Sequence, residues 1–113
     1  MRLQYSELED GIRLIKLHGA LDKLGTDGVE VEFVRYCDGE NLCVVVDLSK
    51  VNYISSIGIP LLINCAKSLT RRGGKMALLK PQGSVEHILD LTGIPLIIPI
   101  YQNLELAVLE LKK

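Results

Sequence analysis

A chain of 113 residues, 48% of them apolar, is long enough for one packed domain and too apolar to stay disordered. Its net charge of -1 supplies no basic field for a phosphate backbone, which argues against nucleic acid as a partner. No stretch reaches the roughly 18 apolar residues of a membrane span, and Met1-Arg2-Leu3-Gln4-Tyr5 has no signal-peptide core, so the expectation is a cytoplasmic protein without membrane insertion.

Leu3-Gln4-Tyr5-Ser6 alternates, Asp10-Gly11 reads as a turn, and Ile12-Arg13-Leu14-Ile15-Lys16-Leu17 alternates again. Together they predict a hairpin whose second strand ends at Gly19. Over residues 21–37, the spacing of Val29, Phe33 and Tyr36/Cys37 predicts a helix, capped by Thr26 or Asp27 and stopped by Asp38-Gly39. Val29-Glu30-Val31-Glu32-Phe33 also alternates as a strand would; the helix is the preferred reading. Leu42-Cys43-Val44-Val45-Val46 is a continuous apolar run, the mark of a central strand buried on both faces. It is expected to end at Asp47-Leu48-Ser49, with Val51, Tyr53 and Ile54 in a loop or extended piece.

A helix is then expected from near Ser56 to about Arg72, with Leu62, Cys65/Ala66 and Leu69 as its apolar stripe. Pro60 is tolerated only in the first turn, where a missing N–H costs nothing, and this places the start near residues 55–57. Gly73-Gly74 ends the helix. Met76-Ala77-Leu78-Leu79 predicts a buried strand. Ser84 is expected to cap a short helix through Val85, Ile88 and Leu89 that stops at Gly93. Residues 95–100 read as an edge strand interrupted by Pro99. Asn103 opens a last helix with Leu104, Ala107/Val108 and Leu111 facing in. The order β-β-α-β-α-β-α-β-α describes an α/β fold over residues 1–113: a mixed, mostly parallel β-sheet with about four helices packed on it, as a single domain.

Cys37, Cys43 and Cys65 are odd in number and lack a CxxC pair. They read as small buried hydrophobes rather than a disulfide framework. His18 and His87 have no ligand spacing to a cysteine, so no metal is expected. GxSxG, P-loop, HExxH and GxGxxG are all absent, so no cofactor and no catalytic set is expected. A trio of Ser56, His87 and Asp47 can be picked out, but a chain of this size offers such a trio by chance.

The segment that stands out runs Asp47-Leu48-Ser49-Lys50-Val51-Asn52-Tyr53-Ile54-Ser55-Ser56-Ile57-Gly58-Ile59-Pro60-Leu61-Leu62. Two hydroxyls follow a buried strand and stand at a helix start, and functional groups in α/β sheets gather at the carboxyl ends of parallel strands. A serine there can be a plain N-cap, worth ~1 kcal/mol. It can also carry a phosphate of about −1.5 to −2 charges, which the free N–H groups of a helix N-terminus accommodate. Ile57, Gly58, Ile59 and Pro60 make the surface beside it small and partly apolar, suited to docking a protein that added charge would repel.

Asp47-Leu48-Ser49 and then Tyr53-Ile54-Ser55-Ser56-Ile57-Gly58-Ile59-Pro60-Leu61-Leu62 resemble the signature of the STAS domain family, the bacterial anti-sigma factor antagonists, which runs roughly D-L-S-x-V-x-[FY]-[MI]-D-S-[ST]-G-L-G-x-L. Gly19-Ala20-Leu21-Asp22 resembles the family's G-x-L-D turn, and the element order agrees over nearly the whole chain. The resemblance implies a STAS-like fold and a regulatory protein that is not an enzyme. Such an antagonist binds an anti-sigma factor that is also a serine kinase, and so frees the sigma factor. The kinase phosphorylates the motif serine and releases the antagonist, and a phosphatase restores it. Position by position, the phosphoacceptor falls on Ser56, with Ser55 as the alternative. The implied partner-binding residues are Asp22, Ser55, Ile57, Gly58, Ile59 and Pro60. Three positions depart from the pattern: Ser55 replaces the usual aspartate, Ile57 the usual Ser/Thr, and Pro60 the second glycine. Two other readings stay open: an unswitched STAS scaffold or regulatory module, stressosome-like or transporter-associated, and a small α/β enzyme or ligand-binding domain.

Overall fold

A computed structural model describes Met1–Lys113. Strands β1 (Arg2–Glu7) and β2 (Arg13–Leu21) form the expected antiparallel hairpin, with Arg2 opposite His18 and Glu7 opposite Arg13. Its turn puts Asp10 at φ 65° and Gly11 at φ 74°, left-handed backbone that glycine adopts freely and aspartate better than most other residues. β2 continues past Gly19 to Leu21.

Helix α1 (Lys23–Tyr36) begins earlier than its apolar spacing suggested. The cap is Asp22, not Thr26 or Asp27: its Oδ1 accepts the Gly25 N–H at 2.8 Å. Thr26 lies inside the first turn and is buried. Val29, Phe33 and Cys37 face the core, as a helix requires.

Strand β3 (Cys43–Ile54) is the sheet's centre and twelve residues long. It does not stop at Asp47-Leu48-Ser49. Two irregularities let it continue: the register against β2 shifts between Lys16 and His18, and again between Gly19 and Ala20. Each admits one extra β3 residue, as a bulge does. At the first, Asp47 Oδ1 accepts the Ser49 N–H at 2.9 Å. The polar residues therefore shape the strand instead of ending it.

Strands β4 (Lys75–Leu79) and β5 (Ile100–Tyr101) complete a sheet of order β1-β2-β3-β4-β5, parallel from β2 onward. Each crossover moves one strand further in the same direction. With the usual right-handed connection, the crossover helices α1, α2 (Gly58–Arg71) and α3 (Gly83–Leu91) fall on one face. Between them and the sheet lie 22 buried residues, among them Leu17, Val46 and Leu48 against Phe33, Leu62, Leu69 and Leu89. Helix α4 (Leu104–Leu111) has no strand to reach and folds onto the other face, over Ile12, Val45, Ala77 and Leu79. Asn103 caps it, accepting the Leu106 N–H at 3.1 Å.

Two further expectations change. The N-cap position of α3 is Gln82, and Ser84 is an exposed residue of the first turn. Of residues 95–100, only Ile100 belongs to a strand, the short edge strand β5. Ile94–Leu96 is a 3-10 turn, and pairing with β4 begins only at Ile100. Pro95 and Pro99 have fixed φ and no N–H, which leaves the apolar Leu96-Ile97-Ile98 between them without a ladder.

Candidate partner-binding edge

Leu21 pairs with Ile54, so β2 and β3 end side by side. The segments that follow, Asp22 into α1 and Ser55-Ser56 into α2, therefore leave the sheet at the same edge. The joint between them is the Leu21 carbonyl. It accepts the Ser55 N–H at 3.0 Å and the Ser55 hydroxyl at 3.0 Å, which uses both of its lone pairs.

Ser55 and Ser56 are neighbours with opposite employment. Ser55 Oγ also accepts the Ile57 N–H at 3.2 Å, and the Ser55 carbonyl accepts from Gly58 at 3.0 Å and Ile59 at 3.3 Å. Ser55 thus serves the first donors of α2, and Pro60, third residue of the helix, has none to serve. Ser56 is exposed, and neither its hydroxyl nor its N–H is hydrogen-bonded.

Two glycines set how closely the helices approach the strand ends. A Cβ on Gly58 would stand 2.9 Å from the Leu21 oxygen and 3.0 Å from Leu21 Cβ. A Cβ on Gly25 would stand 1.9 Å from the Ala20 oxygen. No motif marks Gly25. Its signal was a glycine inside a helix, about 1 kcal/mol worse there than alanine, which asks for a packing reason.

Of the residues singled out, Asp22 and Ser55 are half-buried, while Ser56, Ile57 and Pro60 are exposed. Gly58 and Ile59 are buried; the Ile59 side chain belongs to the larger core and supports the edge from beneath. One apolar residue that no motif flagged adds to the exposed surface: Leu24 in the first turn of α1, at 84% exposure.

Ser56, His87 and Asp47 are not brought together. His87 lines a cavity on α3 with Asn52, Tyr53, Ile54 and Ser84, whereas Asp47 follows Val45 on the α4 face of the sheet. No three metal-ligating side chains converge. All three cysteines are free, with Cys37 and Cys65 buried. The hydrogen bond to Cys65, with burial, pushes the Cys37 thiol up and keeps it protonated.

The family model of the STAS domain matches residues 6–107. An anti-sigma F factor antagonist of Paenibacillus polymyxa is 29% identical over 118 residues, covering 99% of this chain and 97% of the relative. The structure of an anti-sigma-factor antagonist (STAS) domain protein from Planctomyces limnophilus is similar with a TM-score of 0.87 at 19% identity, over 98% of each chain. The anti-sigma factor antagonist SpoIIAA is similar in its unphosphorylated form, with a TM-score of 0.76 at 16% identity over 94% of this chain and 93% of that one. Its phosphorylated form, described as a Bacillus cell fate determinant, gives 0.70 at 15% identity over 94% and 96%. No helix here is long and apolar enough to cross a membrane.

Proposed function

The chain belongs to the STAS domain family, and from that premise we propose that it is an anti-sigma factor antagonist, a regulatory binding protein that docks on a kinase-type anti-sigma factor through the edge carrying Asp22 and Ser56 and is released when Ser56 is phosphorylated. The observation that carries the switch is the contrast between the two serines. The Ser55 hydroxyl donates to Leu21 and accepts from Ile57; phosphorylating it would break both bonds and open the joint between β2 and α2. The Ser56 hydroxyl is exposed and unengaged, so a kinase can reach it without unfolding anything. Its oxygen attacks the terminal phosphorus of the nucleoside triphosphate, the nucleoside diphosphate leaves, and the hydroxyl proton passes to the kinase's base.

The consequence for docking is electrostatic. The N–H groups of Ile57, Gly58 and Ile59 are already hydrogen-bonded, and Pro60 has none. Only the Ser56 N–H remains to meet the phosphate, so the group stays in solvent beside Ile57. Burying about two negative charges under a partner without new hydrogen bonds is unfavourable by several kcal/mol. The Asp22 carboxylate at the same edge adds like charge. A phosphatase would restore the docking surface by hydrolysing the ester.

Mass spectrometry after incubation with the cognate kinase and ATP tests the site; label confined to residues other than Ser55 and Ser56 would sink it. Ser56→Asp is expected to weaken docking strongly, and Ser56→Ala to dock and resist release. A Ser56→Asp variant that binds as tightly as the wild type would leave the docking and remove the switch, which is the scaffold reading.

A further inference from the structure

The helices leave half of one sheet face bare. On the α4 side the apolar cover ends at Leu14 and Val45. Beyond them, towards the carboxyl ends of β2 and β3, Gln4, Lys16 and Asp47 form one row across β1, β2 and β3, and Arg2, His18 and Lys50 form the next. Ala20 and Tyr53 follow, with more than half of Tyr53 in solvent.

Arg2, Lys16 and Lys50 make no ion pair; the salt bridges lie at Lys23, Arg72, Lys112 and Lys113. Arg2 and Lys50 stand directly opposite His18 on either side, and like charges so placed are destabilising, so the row opposes the fold whenever His18 is protonated. Around His18, partial burial first and then Arg2, Lys16 and Lys50 disfavour protonation, while Asp47 favours it. A chain of net charge -1 thus gathers unpaired cations on an uncovered surface.

We propose that this half-face binds an acidic segment of a protein partner, with carboxylates on the Arg2–His18–Lys50 row and an apolar side chain against Tyr53. Three features favour a peptide over a small anion. The row spans three strands, roughly 10 Å, wider than one phosphate group. Arg2, Lys16, His18 and Lys50 line none of the larger cavities, so nothing encloses an ion at the cations. An exposed tyrosine on the same sheet face as an arginine and two lysines is the composition of a protein contact surface. Asp47 among the cations makes the surface a poor track for a polyphosphate chain. The surface lies on the opposite face from α1 and α2, so it is separate from the Ser56 edge and does not depend on its reading. Arriving carboxylates would raise the proton affinity of His18, so binding takes up a proton and tightens as pH falls.

The test is NMR titration of the full chain with a capped hexaglutamate peptide at low ionic strength. Shifts are expected at the amides of Arg2, Lys16, His18 and Lys50. A Lys16→Glu/Lys50→Glu variant should bind about tenfold more weakly, the loss of two surface charge contacts. Binding should tighten from about pH 7.5 to about pH 6, and His18→Gln should remove that tightening. Lys50→Gln, which adds no new charge, repeats the test if the double reversal does not fold. Shifts centred on Arg71 and Arg72, or unchanged binding by a folded variant, would overturn the proposal. So would equal shifts from inorganic phosphate, or co-sedimentation with phosphatidylglycerol vesicles that is lost in the variant.

Discussion

Helices α1 and α2 leave neighbouring strands at one edge, yet their starts are closed differently. At α1 the N-cap residue does its own work: Asp22 accepts the Gly25 N–H. At α2 the N-cap position is Ile57, which has no side-chain oxygen, and the hydroxyl work falls two residues back on Ser55. Ser56, between the two, is left without a structural task. A residue that holds nothing together can change its charge without changing the fold. The site at Ser56 depends on what Ser55 holds as much as on its own hydroxyl.

The contrast can be broken most violently at the glycines. Gly25→Ala drives a Cβ into the Ala20 carbonyl and should cost about 3 kcal/mol or more, read as a lower urea midpoint. Gly58→Ala meets Leu21 a full ångström less severely and should cost about 1–2 kcal/mol. The reverse order would make α2 the more tightly seated helix. Removing the α1 cap with Asp22→Ala should cost about 1 kcal/mol, most of it recovered by Asp22→Ser.

The serines give the finest comparison by denaturant unfolding. Ser55→Ala loses the bonds to Leu21 and Ile57 and should cost about 1 kcal/mol, whereas Ser56→Ala should stay within about 0.5 kcal/mol of wild type. Equal losses would erase the difference between them. The smallest effect concerns the bare sheet face. His18 takes up its proton less readily folded than unfolded, so around and below pH 6.5 the unfolded chain binds more protons. Stability therefore rises with pH through the histidine range. His18→Gln should flatten that slope in unfolding curves measured on either side of the histidine range.

The parallel sheet was legible because Val44-Val45-Val46 and Met76-Ala77-Leu78-Leu79 are apolar without interruption, and α2 because only one helical turn tolerates Pro60. What sequence could not show depends on partners far away in the chain. Asp22 looked like part of a turn, since its capping of α1 is visible only once α1 is known to start at Lys23. Asp47 looked like a strand end, since the bulge it stabilises exists only against Lys16 and His18. The proline-flanked run at residues 95–100 looked like a strand by composition, and local φ restrictions overrode it. The motif singled out Ser56, but not why Ser55 differs from it. That difference is made by the Leu21 carbonyl, 34 residues earlier.

The same distance has a consequence for timing. Until β2 and β3 have found their register, Leu21 has no serine to hold, and the two hydroxyls stand alike in a flexible chain. Discrimination between them is a property of the finished sheet, absent from a nascent chain or an excised peptide. A kinase that modifies only Ser56 would therefore be inspecting the antagonist's maturity as well as its sequence.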